Sequence, residues 1–575
     1  MLKNIWKYSE KYKKLLRLLP LVIMAEVFLE VYIPYLMADI INEGVGEGNT
    51  ALLVKTGLIM AAMSVLLVGT GFMQSYLCKT WATGFTKNLR SRLFAKVQGM
   101  SAGDVDRIGK ASIITRMSTD MNYISRAMGM VHSFIKCPMM IIFTLIMTFR
   151  INTSLSWIFV AITPLFALVI YIITKLSRSH YRKMFKHYDA MNTVLEEDIV
   201  SAKTVKAFER RDYEINRFDG AAKSAYEESY AAERITVLNN PILQLAVNTG
   251  VLLLLYLGGM KIIGGSIEAG DLFCMITYTN QILGQVLIVA LILVPILSAQ
   301  ISLERVFEVL SITPSLTDED ANIELEVSNG SVKLKDVSFS YFGKDSDKIV
   351  LSDINLDIPS GSFFGIIGAS GSSKTTLINL LPRYYDCTQG EVFVGGHNVK
   401  DLSFKALRSA IGIVPQKSVL FSGTIRENLL WGNENATEED MVSACKAADA
   451  HGFITAAPKG YNKSISEGGT NVSGGQRQRL CIARALIRKP KILILDDSLS
   501  AVDTLTDAKI THALKTQYPD TTVIMIAQRI STIKNADKII VLDKGRISGM
   551  GTHEELLKSN KIYAEINESQ KKSME

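Results

Sequence analysis

The run Gly368-Ala369-Ser370-Gly371-Ser372-Ser373-Lys374-Thr375-Thr376 carries the densest chemical pattern in this sequence. Its small residues let backbone N–H groups converge on one point, and a helix starting there adds unpaired N–H donors of its own. Such a cradle suits phosphate: Lys374 is spaced to reach the terminal phosphates of a nucleoside triphosphate, and the Thr375 hydroxyl suits Mg²⁺. The apolar stretch Phe364-Gly365-Ile366-Ile367 ahead of the loop predicts a strand and the pattern behind it a helix, the order of a P-loop. A second strand-like run, Ile492-Leu493-Ile494-Leu495, ends on Asp496, which is placed as a second Mg²⁺ anchor, directly or through water. Upstream of it, Val472-Ser473-Gly474-Gly475-Gln476 opens an arginine-rich helical pattern (Arg477 to Arg488) whose positive N-terminal end can face phosphate.

With the P-loop, the Gln416 loop (Ile413-Val414-Pro415-Gln416), the Ser-Gly-Gly-Gln signature, the Asp496 strand and the loop Ser500-Ala501-Val502-Asp503 in this order, the chain resembles half of an ATP-binding-cassette (ABC) transporter of the type IV exporter kind. The resemblance implies ATP and Mg²⁺ as cofactors. It assigns nucleotide binding to Gly368, Ser370, Gly371, Ser372, Ser373, Lys374, Thr375, Thr376, Gln416 and Asp496, with Tyr341 stacked on adenine and Mg²⁺ held by Thr375, Gln416 and Asp496. Ser473, Gly474, Gly475 and Gln476 would clamp ATP held by a partner subunit, and Asp503 lies on the loop that follows the catalytic strand.

Three residues depart from the family pattern. Asp497 stands where a longer carboxylate should orient the attacking water, Gln528 where a switch histidine is expected, and Ser373 where a glycine precedes the lysine. A side chain one methylene short sets its oxygens back by about 1 Å, and misplacement on that scale costs on the order of 10²-fold in rate. The Gln528 amide donates a hydrogen bond but cannot become cationic as imidazole does. Ser373 costs about 1 kcal/mol if its φ is positive. Together with Gln416, Asp497 and Gln528 form the expected catalytic set in a weakened version. A homodimer would repeat the weakness in both pockets. A different half-transporter bearing Glu and His would instead leave one competent pocket, completed by this chain's signature. The expectation is a heterodimer of the multidrug-resistance type, with the present chain as its degenerate-site subunit.

The elements that must carry these groups follow from hydropathy. Of 575 residues, the first 310 or so hold six apolar stretches, about 18–42, 54–77, 128–149, 155–176, 241–264 and 272–297, each near the length that spans a bilayer. The net charge of +7 is segmental and does not point to nucleic acid. Residues 79–126 hold nine Lys or Arg and 175–240 hold twelve, against one in 43–53, 150–154 and 265–271 together. The positive-inside rule therefore places the N-terminus, both long loops and the C-terminal domain in the cytoplasm of a multi-pass protein, expected in a bacterial cell membrane. The first stretch follows a basic segment and lacks a small-residue cleavage site, so it reads as a span and not a removable signal. Six scattered cysteines show no metal or disulfide spacing.

The expected fold is an all-α membrane domain of six helices over 1–310, a polar linker over 311–330 (Pro314, Asp318 to Asp320, Gly330), and an α/β ATPase domain over 331–575. The latter combines a parallel core sheet, an antiparallel β layer and a helical subdomain. Residues 115–120 and 201–208 resemble the two coupling helices of ABC exporters. In the membrane, Glu26 and Glu30 share one helix face. Carboxylates at that depth cost several kcal/mol unless paired or lining water, so either they pair with Lys136 or an unpaired Glu meets a cationic cargo. Gln281 is a further cavity candidate. ATP-driven export of amphipathic small molecules or lipids is the expected function. Peptide export, or an ATP-regulated channel-like role, is the alternative.

Overall fold

The computed structural model describes residues 2–319, 321–343 and 348–572; Asp320 of the expected linker lies outside them. Contacts divide the chain into two compact units, residues 1–98 with 110–312, and residues 99–109 with 313–575.

The first unit is helical. Among the described residues five helices are long and apolar enough to cross a membrane: Thr50–Gln98, Lys110–Ile151, Thr153–Val200, Arg211–Ile263 and Ala269–Ile292. The helix Lys13–Asp39 coincides with the remaining expected span and, at 27 residues, reaches about 40 Å. Several helices run far beyond bilayer thickness: Thr153–Val200 has 48 residues and meets Arg211–Thr236 along its length, with the short helix Ala202–Ala207 between them. Leu19, Ile23, Val27, Met140, Phe159 and Tyr278 form its main core, and the Tyr278 hydroxyl donates to Val31 O at 2.7 Å.

The second unit is built on a six-stranded sheet in the order Arg546–Gly551, Lys538–Asp543, Phe363–Ile367, Thr522–Ile526, Ile492–Asp496, Ile411–Val414. Only the first of these pairs antiparallel; the rest are parallel. Strands buried on both faces should read as continuous apolar runs, and Phe363–Ile367 and Ile492–Asp496 are buried throughout. A four-stranded antiparallel sheet (Leu351–Ile358, Val332–Phe339, Gln389–Val394, His397–Asn398) forms the second β layer. The helices Ile425–Leu430, Glu438–Ala447, His451–Thr455 and Gly474–Ile487 make the helical portion.

Residues 115–120 lie in the first unit at the break between helices Lys110–Met117 and Thr119–Met128, where buried Asp120 accepts from Arg305 at 2.7 Å and from Ser302 at 2.8 Å. The helix Ala102–Ile108 is grouped with the second unit. Ser101 and Asp104 close a capping box at its start, and Gly109, with φ 86°, ends it. Asp104 also accepts from the Ser315 backbone N–H at 2.9 Å, Asp106 accepts from the Tyr385 hydroxyl at 2.8 Å, and Gly103 leaves room for the Tyr385 ring.

Candidate nucleotide site

In an open parallel sheet, ligands gather beyond the carboxyl ends of the strands. The register brings four such ends level: Ile526 pairs with both Ile366 and Asp496, and Val414 with Leu495. The P-loop, Gln528, Asp497 and Gln416 follow these four strands directly, so residues far apart in sequence line one cavity of about 480 Å³ together with Ile566. Gly368 starts the loop because a Cβ there would lie 2.2 Å from Leu542 O. The helix Lys374–Asn379 begins at Ser373, whose φ of 72° and ψ of 24° are left-handed.

Lys374 Nζ donates to Gly368 O and Ala369 O, both at 2.8 Å. Burial pulls its pKa down, while Asp496 and Asp497 act the other way. Thr375 Oγ1 donates to Asp496 Oδ2 at 2.9 Å, which places a hydroxyl and a carboxylate side by side with Gln416 in the same cavity. Hard oxygen donors of this kind fit Mg²⁺. Burial pushes Asp496 upward, partly offset by Thr375 and reinforced by Asp497.

The two departures from the family pattern touch each other. Gln528 Nε2 donates to Asp497 Oδ2 at 2.6 Å, and Gln416 lines the same cavity. Asp497 has a φ of 50° and its N–H is tied to Ile526 O at 3.0 Å. Burial raises its pKa, and the two glutamine amides, with Lys374 and Arg529, hold it back. Tyr341 is 47% exposed, and its hydroxyl lies 3.0 Å from Thr376 Oγ1.

The signature residues do not line this cavity. Ser473 and Gln476 form a capping box at the start of Gly474–Ile487, and a Cβ at Gly475 would sit a tight 3.1 Å from Ala501 O. Asp503 caps the helix Thr504–Gln517 through the Thr506 N–H at 3.0 Å. Sequence reading missed Ile566 and the contact between Asp497 and Gln528.

In the membrane unit the charged candidates are joined to one another. Lys136 Nζ lies 2.8 Å from both Glu26 and Glu30, Gln74 donates to Glu26 at 3.0 Å, and Gln281 donates to Glu30 O at 3.2 Å. Neither glutamate is unpaired, so the geometry favours the ion pair over a bare carboxylate awaiting a cation.

Comparison with known proteins agrees with this architecture. Residues 16–286 match the ABC transporter transmembrane region and residues 351–500 match the ABC transporter family. An uncharacterized ABC transporter ATP-binding protein of Mycobacterium tuberculosis is 34% identical over 98% of this chain and 97% of its own length. An ATP-dependent lipid A-core flippase of Desulfotalea psychrophila is 32% identical over 92% of each. The solved structure of a bacterial Atm1-family ABC exporter with ATP bound superimposes with a TM-score of 0.82 at 25% identity, covering 98% of this chain and 99% of that one. The chain therefore belongs to the ABC transporter family, as an exporter half that joins a helical membrane domain to an ATPase domain.

Proposed function

We propose that this protein is the degenerate-site half of a heterodimeric exporter in a bacterial cell membrane, moving amphipathic small molecules outward. The observation that carries the reading is the locked pair Asp497–Gln528: the orienting carboxylate is short, left-handed in backbone and already bonded to a neutral amide. ATP rests its phosphates on the loop N–H groups and Lys374, and Tyr341 supports the adenine. Thr375, Gln416 and Asp496 would hold Mg²⁺, which when bound neutralises phosphate charge. Asp497 orients water poorly because its carboxylate is set back and tied, and Gln528 gives no positive charge to the transition state. Ser473, Gly474, Gly475 and Gln476, lying outside this chain's own cavity, complete a partner's pocket, which turns over while this one holds ATP.

ATP turnover by the purified chain alone, and with a co-encoded half-transporter carrying Glu and His at the matching positions, tests the proposal. Little activity alone and at least about tenfold more in the mixed dimer is expected. Brisk hydrolysis by the single chain would overturn it. A lipid cargo is the second reading, favoured by the 32% identity to the lipid A-core flippase. Vesicle assays with a fluorescent lipid and a soluble amphipathic dye separate the two.

A further inference from the structure

The segment after the strand Thr522–Ile526 carries Gln528, and besides the buried Ile530 and Ile533 and the Thr532–Asp507 bond, a tie to it comes from the C-terminal helix Lys561–Lys572. Ile562, Ile566 and Gln570 recur every four residues and therefore share one face. Ile562 and Ile566 pack on the sheet core, and Ile566 also lines the nucleotide cavity. One turn further, Gln570 Nε2 donates to Gln528 O at 2.6 Å while Gln570 Oε1 accepts from the Ile530 N–H at 2.9 Å. A single amide group thus engages the backbone on both sides of Arg529, matching a donor and an acceptor as a neighbouring strand would. On the same residue, the Gln528 side chain reaches Asp497 at 2.6 Å.

We propose that Gln570 is a positioning residue for the switch segment, holding Gln528 on Asp497 and so setting how fast the chain's own ATP pocket turns over. The proposal rests on reading this cavity as an ATP site. It needs no contact between Gln570 and nucleotide. Holding the 528–530 backbone in one register keeps the Gln528 amide on the carboxylate; without the clamp, the amide samples other directions and releases the Asp497 oxygen it occupies.

The test uses the full-length chain in lipid nanodiscs, with two readouts. Hydrogen exchange over 526–533 should quicken in Gln570→Ala by about fivefold at Ile530, the size expected for one lost hydrogen bond. Single-turnover hydrolysis of labelled ATP, which reads a slow site, should show the rate constant raised by about tenfold with the half-saturating ATP concentration within about twofold. In a Gln528→Ala background, Gln570→Ala should leave the rate constant where it is while exchange still quickens, because the clamp acts through Gln528. Equal rate changes in both backgrounds would reveal a merely structural tie, and unchanged exchange at Ile530 would mean no clamp at all; either result overturns the proposal. Fast turnover by the unmutated chain would instead overturn the degenerate-site reading, leaving the clamp measurable.

Discussion

At Asp497 two effects compound: the side chain is short, and it is occupied by Gln528 at 2.6 Å. Lengthening it alone should therefore recover little, because the amide still holds the carboxylate. Asp497→Glu with Gln528→His is expected to raise turnover of the chain alone by at least about tenfold, and Asp497→Glu by clearly less; steady-state phosphate release measures both. Burial raises the Asp497 pKa. Orienting water requires the ionised form, so residual hydrolysis should fall on acidification at a pH above the usual aspartate range of about 4, and Asp497→Asn should abolish that limb. Ser373 is a separate matter. Its φ of 72° is a conformation that costs a residue with a Cβ roughly 1 kcal/mol or more, so Ser373→Gly is expected to stabilise the folded ATPase unit by roughly 0.5–1 kcal/mol, the gain being trimmed by the freer unfolded chain. A thermal melt of the full chain, compared with and without ATP, checks it.

At the scale of elements, the nucleotide machinery was legible because each group follows the end of an apolar run, and parallel strands bring those ends level whatever their separation in sequence. The helix Ala102–Ile108 carries its own signals, Ser101 and Asp104 three apart as a capping box and Gly109 as a stop, while helical periodicity resumes through 110–128. Gln570 had no local signal, since its partners lie 40 and 42 residues away and only tertiary packing pairs them. The helix Ala102–Ile108 itself makes a prediction. Burial would raise Asp104, but hydrogen bonds from Ser315 and Ser101 outweigh it and leave the pKa below its ordinary value. A carboxylate depressed in the folded state stabilises that state above the ordinary aspartate range, and the contribution is lost as pH falls through the depressed value. Asp104→Asn should therefore loosen this helix at neutral pH and flatten its pH dependence. Tyr385→Phe, which removes the bond to Asp106, should loosen it without altering that dependence. Amide exchange over 101–108 distinguishes the two.

For the membrane-spanning part of the molecule the hydrophobic effect gives little reason for one helix arrangement over another, because lipid is as apolar as the side chains. Polar ties then carry specificity. Lys136 links helix Val131–Ile151 to Lys13–Asp39, Gln74 brings in Thr50–Gln98 and Gln281 brings in Ala269–Ser311, so one polar knot joins four helices. The buried Glu26 has a side chain only 6% exposed, which makes its charge tolerable only beside a cation. Lys136→Met should accordingly cost about 3–5 kcal/mol by leaving two carboxylates uncompensated, whereas adding Glu26→Gln and Glu30→Gln to it should restore most of the loss by removing the charges altogether. Detergent unfolding of the three proteins measures this. The same triple variant decides what the knot does for cargo. If it serves only to hold helices together, transport of cationic and neutral compounds recovers equally once stability does. If the carboxylates also recognise cargo, transport of cations stays lost while that of neutral compounds returns, and a stable protein with selective loss would move Glu26 and Glu30 from the scaffold to the cargo site.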